Sequence, residues 1–260
     1  MLPAPSDPTI LIPLAAFGLV FGSFVTALSY RLPRGESIAH GRSRCPACGH
    51  TLTASDVVPV LSWALHRGAC RHCAAKISAR YPAIELFTAA AFVAAGLLTS
   101  DLVHLALLLA MTPVMVALAV IDIEHRRLPN ILVMILAVLA LVWRWNGDQA
   151  ILIGLATAVV AGLVCAGLDA AYKSATGETG LGMGDTKLIS LAGLALPLGP
   201  FLLFVFCAAV LGLVWGGVWR LLKPTSPDAL PFGPAILIAY WTSLVAGGQI
   251  LERLVGFLSG

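Results

Sequence analysis

Residues 10–30 read ILIPLAAFGLVFGSFVTALSY, a stretch in which no side chain carries a charge. A helix of about 20 apolar residues is long enough to cross the hydrocarbon core of a bilayer. The stretch therefore predicts a transmembrane helix. Because similar apolar runs recur along the chain, the sequence predicts a polypeptide that crosses a membrane several times.

The composition leads to the same fold class. The chain has 260 residues, of which 59% are hydrophobic and 11% are charged, and its mean hydropathy is +0.93. Soluble domains carry about 25% charged residues, so this chain has too little polar surface for a soluble fold. We expect an all-α polytopic membrane protein with about eight transmembrane helices. The predicted spans are about 10–30, 82–100, 102–121, 130–145, 149–171, 188–198, 200–220 and 233–257.

One predicted span differs from the others. The run at 188–198 is too short to cross about 30 Å of hydrocarbon. It must therefore tilt, lie where the bilayer is thin, or have ends other than those that its apolar residues suggest.

The basic residues predict the orientation of the chain. Residues 1–9 carry no basic side chain, so the first apolar run is interpreted as an uncleaved span with its N-terminus outside. Alternating spans then place these basic residues on one side: Arg31, Arg34, Arg42, Arg44, Arg67, Arg71, Lys76, Arg80, Arg126, Arg127, Lys173, Lys187, Arg220 and Lys223. Only Arg144 and Arg253 fall on the other side. By the positive-inside rule the first side is cytoplasmic, and both termini are then outside.

The polar residues divide the chain into three predicted domains. Residues 1–30 are the N-terminal transmembrane helix, residues 31–81 form a small cytoplasmic domain, and residues 82–260 form the main transmembrane domain. Most polar residues fall on the cytoplasmic side, and we expect the chemistry there. The lipid bilayer is an expected partner, and no nucleic acid is expected.

Four cysteines lie in the cytoplasmic domain as two C-x2-C pairs, CPAC (Cys45, Cys48) and CRHC (Cys70, Cys73). Two such pairs supply four thiolates, the usual tetrahedral ligand set of a structural zinc ion. A domain of about 50 residues has a small core, and a bound metal offsets that deficit. Redox pairs or disulfides are the alternative, which a reducing cytoplasm disfavours.

Two aspartates lie at predicted ends of spans on the cytoplasmic side. Asp122 is in AVIDIEHRRLPN (Ala119–Asn130), and Asp185 is in GLGMGDTKL (Gly180–Leu188). An acid at the membrane edge is a functional candidate because burying its charge is costly. Two carboxylates that face each other share a proton and can hydrolyse a peptide bond. Interface charges or an ion path remain alternatives.

Four other residues are candidates for substrate binding. Gly182 and Gly184 allow close approach of an extended peptide or a positive φ angle. Glu85 either pairs with Arg80 or contacts a positive charge of a substrate, and Glu124 either lies in a solvated turn or adjusts Asp122. Asp169 and Lys187 are interpreted as residues of the membrane interface.

The chain resembles the type IV prepilin peptidase family, which consists of GxGD aspartyl proteases. The resemblance rests on an ordered set of motifs: FGSFVTALSYRLPRG (Phe21–Gly35), SRCPACGHTL, RGACRHC with the following ISARYPAIE, IDIEHRRLPN, GMGDTKL and LPFGPAI (Leu230–Ile236). No single motif is decisive, and GxGD alone is a weak signal, but the ordered set is highly specific and runs nearly end to end.

The resemblance implies a bifunctional enzyme of the bacterial inner membrane. Such enzymes cleave the short basic leader of type IV prepilins or type II secretion pseudopilins on the cytoplasmic side, and many then N-methylate the new N-terminus with S-adenosylmethionine. The catalytic aspartates of the family fall on Asp122 and Asp185, and its zinc ligands fall on the four cysteines. The chain departs from the usual pattern at Thr26, Val57 and Ala69, and the last two lie in the loop that the family associates with methylation.

Three other functions are compatible with parts of the sequence. A presenilin-like GxGD intramembrane protease would use the same aspartates but would not have the cysteine pairs. A proton-coupled transporter would use Asp122 and Asp185 as relay groups, and it would need polar residues at mid-depth in several spans, which are scarce here. A zinc-bearing scaffold of a secretion machine would need no catalytic pair.

Overall fold

The computed structural model describes residues 8–38, 42–147, 149–222 and 230–259. Within these ranges the chain is helical, with no β-strand beyond two isolated antiparallel bridges in the cysteine region. The helices are α1 (Pro8–Arg31), α2 (Leu61–Leu65), α3 (Arg80–Leu98), α4 (Leu102–His125), α5 (Asn130–Asn146), α6 (Ile151–Thr176), α7 (Met183–Ala195), α8 (Leu198–Leu222) and α9 (Gly233–Ser259). The prediction of an all-α membrane protein is confirmed. Lys223 lies outside the described residues.

Each of the eight predicted spans coincides with one helix, and α2 is the additional element. Six helices in the described ranges are long and apolar enough to cross a membrane, namely α1, α3, α4, α6, α8 and α9. Helix α5 is apolar but has only 17 residues. Helix α7 has 13 residues, which at 1.5 Å per residue make about 20 Å, less than the thickness of the hydrocarbon core.

The chain forms two compact units, Met1–Ala117 and Leu118–Gly260. In the first unit α1 packs against α3. Gly18 and Gly22, four residues apart on α1, make this close contact possible, because a Cβ atom at either position would lie 2.5 Å or 2.6 Å from the Cα atom of Ala89 or Glu85. Small residues at this spacing commonly bring membrane helices together. The contact places Glu85 beside α1.

In the second unit the short helix α7 contacts α5, α6, α8 and α9. Its residues Leu188, Ala192 and Ala195 are fully buried. A helix that does not cross the bilayer is tolerated in a membrane protein where it is enclosed by other protein segments. The short predicted span is therefore explained by helix packing, and its first residue is Met183.

A buried arginine stabilises the end of α7. The guanidinium group of Arg144 donates hydrogen bonds to the carbonyl oxygens of Leu194 and Leu196, both at 3.2 Å, and of Ala150 at 2.9 Å. The last carbonyl groups of a helix have no partners within the helix, and a cation satisfies them well. The opposite end of α7, which carries Asp185, is the end that the candidate site uses.

Candidate active site

Asp122 lies in the last turn of α4, where the apolar stretch of that helix ends. Its side chain is buried, and its Oδ2 atom accepts a hydrogen bond from the backbone N–H of Gly233 at 3.0 Å. Gly233 is the first residue of α9. The first amides of a helix lack partners within it and favour a negative charge, so the start of α9 stabilises a carboxylate at Asp122.

Position 233 requires glycine because there is no room for a side chain beside the Asp122 carboxylate. A Cβ atom there would lie 2.6 Å from Oδ2 of Asp122. The residues before Gly233 are fixed on α8, where Trp215 donates a hydrogen bond to the carbonyl oxygen of Pro231 at 3.0 Å and Gly212 leaves room for the ring of Phe232. The segment LPFGPAI therefore serves to position Asp122.

Asp185 lies in the first turn of α7 and outside the six candidate spans. Burial and, in second place, the negative charge of Asp122 raise the pKa of Asp185 to about 7, whereas the backbone N–H of Gly182 opposes this change. The two carboxyl groups are therefore close enough to interact electrostatically. One proton shared between them is the expected state of such a pair.

The turn between α4 and α5 lies against the start of α7. A Cβ atom at Gly184 would lie 2.8 Å from the side chain of Leu128. The Nζ atom of Lys187 donates a hydrogen bond to Oδ1 of Asn130 at 2.9 Å. These contacts fold back the chain between the two aspartates, and they give Lys187 a partner on another helix.

The two glycines of the GMGD sequence contact groups of this chain. Gly184 packs on Leu128, and a Cβ atom at Gly182 would lie 3.1 Å from Oδ2 of Asp185. Gly182 has a φ angle of −65°, so it does not use the left-handed conformation that was one expectation. Glu124 is exposed two residues after Asp122, where it remains a candidate for binding a substrate.

Glu85, the other acidic candidate, lies in the first unit. It is buried in α3, and its Oε2 atom accepts the backbone N–H of Val60 at 2.7 Å. Val60 has a φ angle of 61°, a costly conformation for a β-branched residue. Arg80, its expected ion-pair partner, donates a hydrogen bond to the hydroxyl of Ser29 at 2.8 Å. The contact of Glu85 with Val60 fixes the loop of the cysteine region to α3.

The four cysteines of the two pairs form one cluster. Their sulfur atoms all lie within 4.8 Å of one another, and the Sγ atoms of Cys45 and Cys73 are 3.8 Å apart. A tetrahedral zinc site with Zn–S bonds of about 2.3 Å requires sulfur atoms about 3.8 Å apart. None of the six cysteines, all of which the structure describes, forms a disulfide. The cluster can hold a metal ion.

The same turn repeats in both cysteine pairs. The N–H of Gly49 bonds to the carbonyl of Cys45, and the N–H of Ala74 bonds to the carbonyl of Cys70, both at 2.9 Å. Both residues that close the turns have positive φ angles. His50 and His72 stack on each other with ring centroids 3.5 Å apart, and they are not members of the four-residue cluster.

The thiol groups influence each other's charge. The backbone N–H groups of Cys48 and Ala47 lower the pKa of Cys45 to about 6. The N–H of Ala75 favours a thiolate at Cys73, but burial and the neighbouring thiols outweigh it and raise the pKa of Cys73 to about 12. The cluster thus accepts a first negative charge readily, and a divalent cation would be needed to hold all four thiolates together.

Sequence reasoning missed two hydrogen-bonded contacts near the aspartates. Gly233 binds Asp122 across 111 positions of sequence, and Asp169 binds the loop before α7. The LPFGPAI motif was a usable signal for Gly233. Nothing local to Asp169 distinguishes it from an interfacial acid, because its partners lie 11 and 12 positions away.

Two family models match the chain. The model described as "Bacterial Peptidase A24 N-terminal domain" matches residues 16–99, which include the cysteine cluster and Glu85. The model described as "Type IV leader peptidase family" matches residues 107–217, which include Asp122 and Asp185. No solved structure matches the chain.

Curated relatives match nearly the whole chain. A protein of Dichelobacter nodosus named "Prepilin leader peptidase/N-methyltransferase" is 35% identical over 280 residues, with 93% of each chain covered. Proteins with the same name are 34% identical in Aeromonas salmonicida (strain A449), with 90% of each chain covered, and in Bacillus subtilis (strain 168), with 94% of this chain and 93% of the relative covered.

Proposed function

The chain belongs to the type IV leader peptidase family, and from this premise we propose that Asp122 and Asp185 are its catalytic dyad. The protein is a multi-pass membrane peptidase. The observation that carries the proposal is the packing of the chain after Asp122 on the start of α7, where Leu128 contacts Gly184 and Asn130 bonds to Lys187. The negative charge of Asp122 correspondingly raises the pKa of Asp185. Among the described residues of the second unit, Asp122 is the one acidic side chain that is buried, and Asp185 is partly buried.

The environments of the two groups suggest how they share the work. The amide of Gly233 stabilises negative charge on Asp122, and the high pKa of Asp185 keeps that group protonated up to about neutral pH. Asp122 then takes a proton from a water molecule, whose oxygen bonds to the carbonyl carbon of the scissile peptide. The protonated Asp185 donates a hydrogen bond to the carbonyl oxygen, where negative charge develops.

The second half of the reaction returns the protons. The C–N bond of the tetrahedral intermediate breaks, and the departing nitrogen receives the proton that Asp122 had taken from water. The products are a leader with a new carboxyl group and a mature chain with a new amino group. The dyad again holds one shared proton and can bind the next substrate.

The substrate that we propose is a prepilin or a type II secretion pseudopilin, because the curated relatives are named prepilin leader peptidases. A basic leader remains in the cytoplasm while the apolar segment after it enters the bilayer. The scissile bond then lies at the membrane edge, where we place Asp122 at the end of α4 and Asp185 at the start of α7. In this proposed orientation both termini lie outside. Glu124 and Glu85 are the proposed binding residues for basic side chains of the leader.

Two further properties complete the proposal. Residues 31–81 form a zinc domain between the helix at 1–30 and the peptidase domain at 82–260, and the sulfur positions support a zinc ion held by all four cysteines. The relatives' names also include N-methyltransferase activity, so we propose that the protein methylates the new N-terminus with S-adenosylmethionine.

The test uses the purified full-length protein in nanodiscs with a full-length prepilin as substrate. Asp122→Asn and Asp185→Asn should each lower leader release by about a thousandfold or more, because each removes one proton-transfer group. Mass spectrometry of the products identifies the cleaved bond, and cleavage inside the apolar segment would point to an intramembrane protease. The control is Asp101→Asn, which changes a carboxylate that caps the start of α4.

Undiminished cleavage by either dyad variant would refute the assignment. A wild-type protein that releases no leader from any prepilin, while remaining folded, would refute the proposed substrate. Labelled S-adenosylmethionine in the same reaction tests methylation, and an unlabelled mature product would remove that activity from the proposal.

A further inference from the structure

A six-residue loop, Gly177–Gly182, connects α6 to α7 and ends three residues before Asp185. Gly177 closes α6 in the left-handed conformation, with a φ angle of 80° and its N–H bonded to the carbonyl of Lys173. Gly182 is the residue that precedes α7. We call this segment the glycine loop, and its position determines where α7 begins.

One side chain of α6 holds the glycine loop. The Oδ1 atom of Asp169 accepts hydrogen bonds from the backbone N–H groups of two consecutive residues, Gly180 at 2.8 Å and Leu181 at 2.9 Å. A carboxylate that accepts two amides makes stronger hydrogen bonds than a neutral acceptor does. The loop consequently folds back over the last turns of α6.

A second contact fixes the same part of the loop. A Cβ atom at Gly180 would lie 2.8 Å from the ring of Tyr172, one turn after Asp169 on α6. The absence of a side chain at Gly180 therefore lets its backbone reach the carboxylate. The hydrogen bonds and the ring contact are independent features, and both hold Gly180 at the same place on α6.

The fixed residues are directly connected to the catalytic group. Leu181 is followed by Gly182, where a Cβ atom would lie 3.1 Å from Oδ2 of Asp185. The carbonyl of Gly182 accepts the N–H of Thr186 at 3.1 Å. Only one peptide unit therefore separates the amides held by Asp169 from the residue that contacts Asp185. A shift of the loop would move the carboxyl group relative to Asp122.

We propose that Asp169 is a positioning residue, which holds the glycine loop on α6 and thereby places Asp185 in the catalytic dyad. This inference rests on the proposed peptidase function. It assigns to Asp169 a role as a hydrogen-bond acceptor, whereas an interfacial charge would depend on the negative charge alone. Substitution by asparagine separates the two roles, because its amide oxygen can still accept both hydrogen bonds.

The first test compares Asp169→Ala with Asp169→Asn in prepilin cleavage. The alanine variant should lower kcat by about tenfold or more, and the asparagine variant should stay within about threefold of wild type, because one loses both hydrogen bonds and the other keeps them. KM should change less than kcat in the alanine variant. Asp101→Ala, which removes the cap at the start of α4, is the matched control and should retain wild-type activity.

The pH profile separates positioning from a general loss of stability. In Asp169→Ala the loosened glycine loop should admit water to Asp185. The added water weakens the desolvation that raises the pKa of Asp185. The alkaline fall in kcat/KM should therefore move to lower pH. A merely destabilised enzyme would lose active molecules without moving this limb. Equal kcat and equal pH profiles in Asp169→Ala and wild type would overturn the proposal, as would an asparagine variant as impaired as alanine.

Gly180→Ala examines the loop without changing Asp169. Its methyl group would meet the ring of Tyr172, so kcat should fall as in Asp169→Ala, and combining the two changes should add little further loss. Gly167→Ala is the control, since a Cβ atom there has no neighbour within 4 Å. Wild-type kcat in Gly180→Ala, or full additivity with Asp169→Ala, would contradict the proposed link.

A measurement without substrate distinguishes failure of this inference from failure of the proposed function. Hydrogen exchange of the amides in residues 177–182, followed by mass spectrometry of the full protein in nanodiscs, should be faster in Asp169→Ala than in wild type and slow again in Asp169→Asn. Unchanged exchange in Asp169→Ala would refute the proposal that Asp169 holds the glycine loop, whether or not the protein cleaves prepilins.

Discussion

The cysteine cluster and the aspartate pair each bring several acidic groups close together, but the negative charge is balanced differently in the two sites. The four thiols lie on two copies of one turn, and local backbone bonds hold each copy. The two carboxyl groups come from different helices, and a backbone amide of a third helix, that of Gly233, bonds to Asp122. A metal ion can balance the charge of four thiolates, whereas two carboxyl groups can balance theirs with a single proton. The proposed structural site and the proposed reactive site therefore both bring groups of like charge together.

The difference has a consequence for stability and activity. A structural metal site with four cysteine ligands needs no open coordination position, because a four-coordinate metal takes no further ligand. The proposed function requires the aspartate pair to be open to a water molecule and a peptide. The groups that stabilise its negative charge are backbone amides, that of Gly233 at Asp122 and that of Gly182 at Asp185. Changes at these supports should alter catalysis more than folding.

The largest effect that sharpens this comparison is expected for Gly233→Ala. The added methyl group would lie 2.6 Å from Oδ2 of Asp122, so the carboxylate must move, and a displacement of about 1 Å can lower the rate by about a hundredfold. We expect that loss in kcat for prepilin cleavage. Alanine is a better helix former than glycine, so α9 itself should not be destabilised.

Gly248→Ala, in the same helix with no neighbour within 4 Å of its Cβ position, is the control for Gly233→Ala. Equal cleavage rates in the two variants would mean that the start of α9 has no part in placing Asp122.

The cysteine cluster should respond in the opposite way. Replacing Cys45, Cys48, Cys70 and Cys73 by serine should reduce the zinc content from about one ion per chain to none, because serine is a poor zinc ligand. Hydrogen exchange in residues 42–77 should accelerate. The pH dependence of cleavage should keep its shape even if the rate falls, since no thiol takes part in the proton transfer.

Zinc that survives in the quadruple variant would place the metal elsewhere in the chain. A changed pH profile would show that the cysteine cluster influences the protonation of the aspartates. The cluster would then not have a purely structural role. Metal analysis and the pH series are made on the same preparation, so the two outcomes can be read together.

A smaller effect is expected where α5 meets α7. Lys187→Met and Asn130→Ala each remove the hydrogen bond between Nζ and Oδ1, which at an exposed site is worth about 1 kcal/mol, or roughly fivefold in kcat if it serves only the active geometry. The double variant should lose no more than either single one. Independent, additive losses would indicate that the two residues act separately.

The sequence was sufficient for features that depend on neighbouring residues. Each of the eight apolar runs predicted one helix, and the spacing of CPAC and CRHC predicted the cysteine cluster. The positions of Asp122 and Asp185 at predicted span ends made them candidates. In each case the signal was a repeat or a contrast within about 30 residues, which a single sequence displays directly.

The sequence was not sufficient for supports that packing creates. The position of Asp169 near the end of a predicted span is typical of an interfacial acid. Only the fold brings Asp169 to the backbone amides of Gly180 and Leu181. The short helix α7 contradicted the length expected of a span until its neighbours were known, because enclosure by other helices replaces contact with lipid. Glu85 likewise pairs with a backbone amide of a distant loop.

Infrared titration of the carboxyl groups observes the protons of the two aspartates without substrate, and it therefore shows whether Asp122 and Asp185 form a pair. The wild-type protein should show the band of a protonated carboxylic acid that disappears with a midpoint near pH 7, the pKa of Asp185. The band should be absent in Asp185→Asn. In Asp122→Asn it should disappear at lower pH, since removing the negative charge of Asp122 makes ionisation of Asp185 easier. The same midpoint in Asp122→Asn as in wild type would contradict the account, because the two aspartates would then not form a pair.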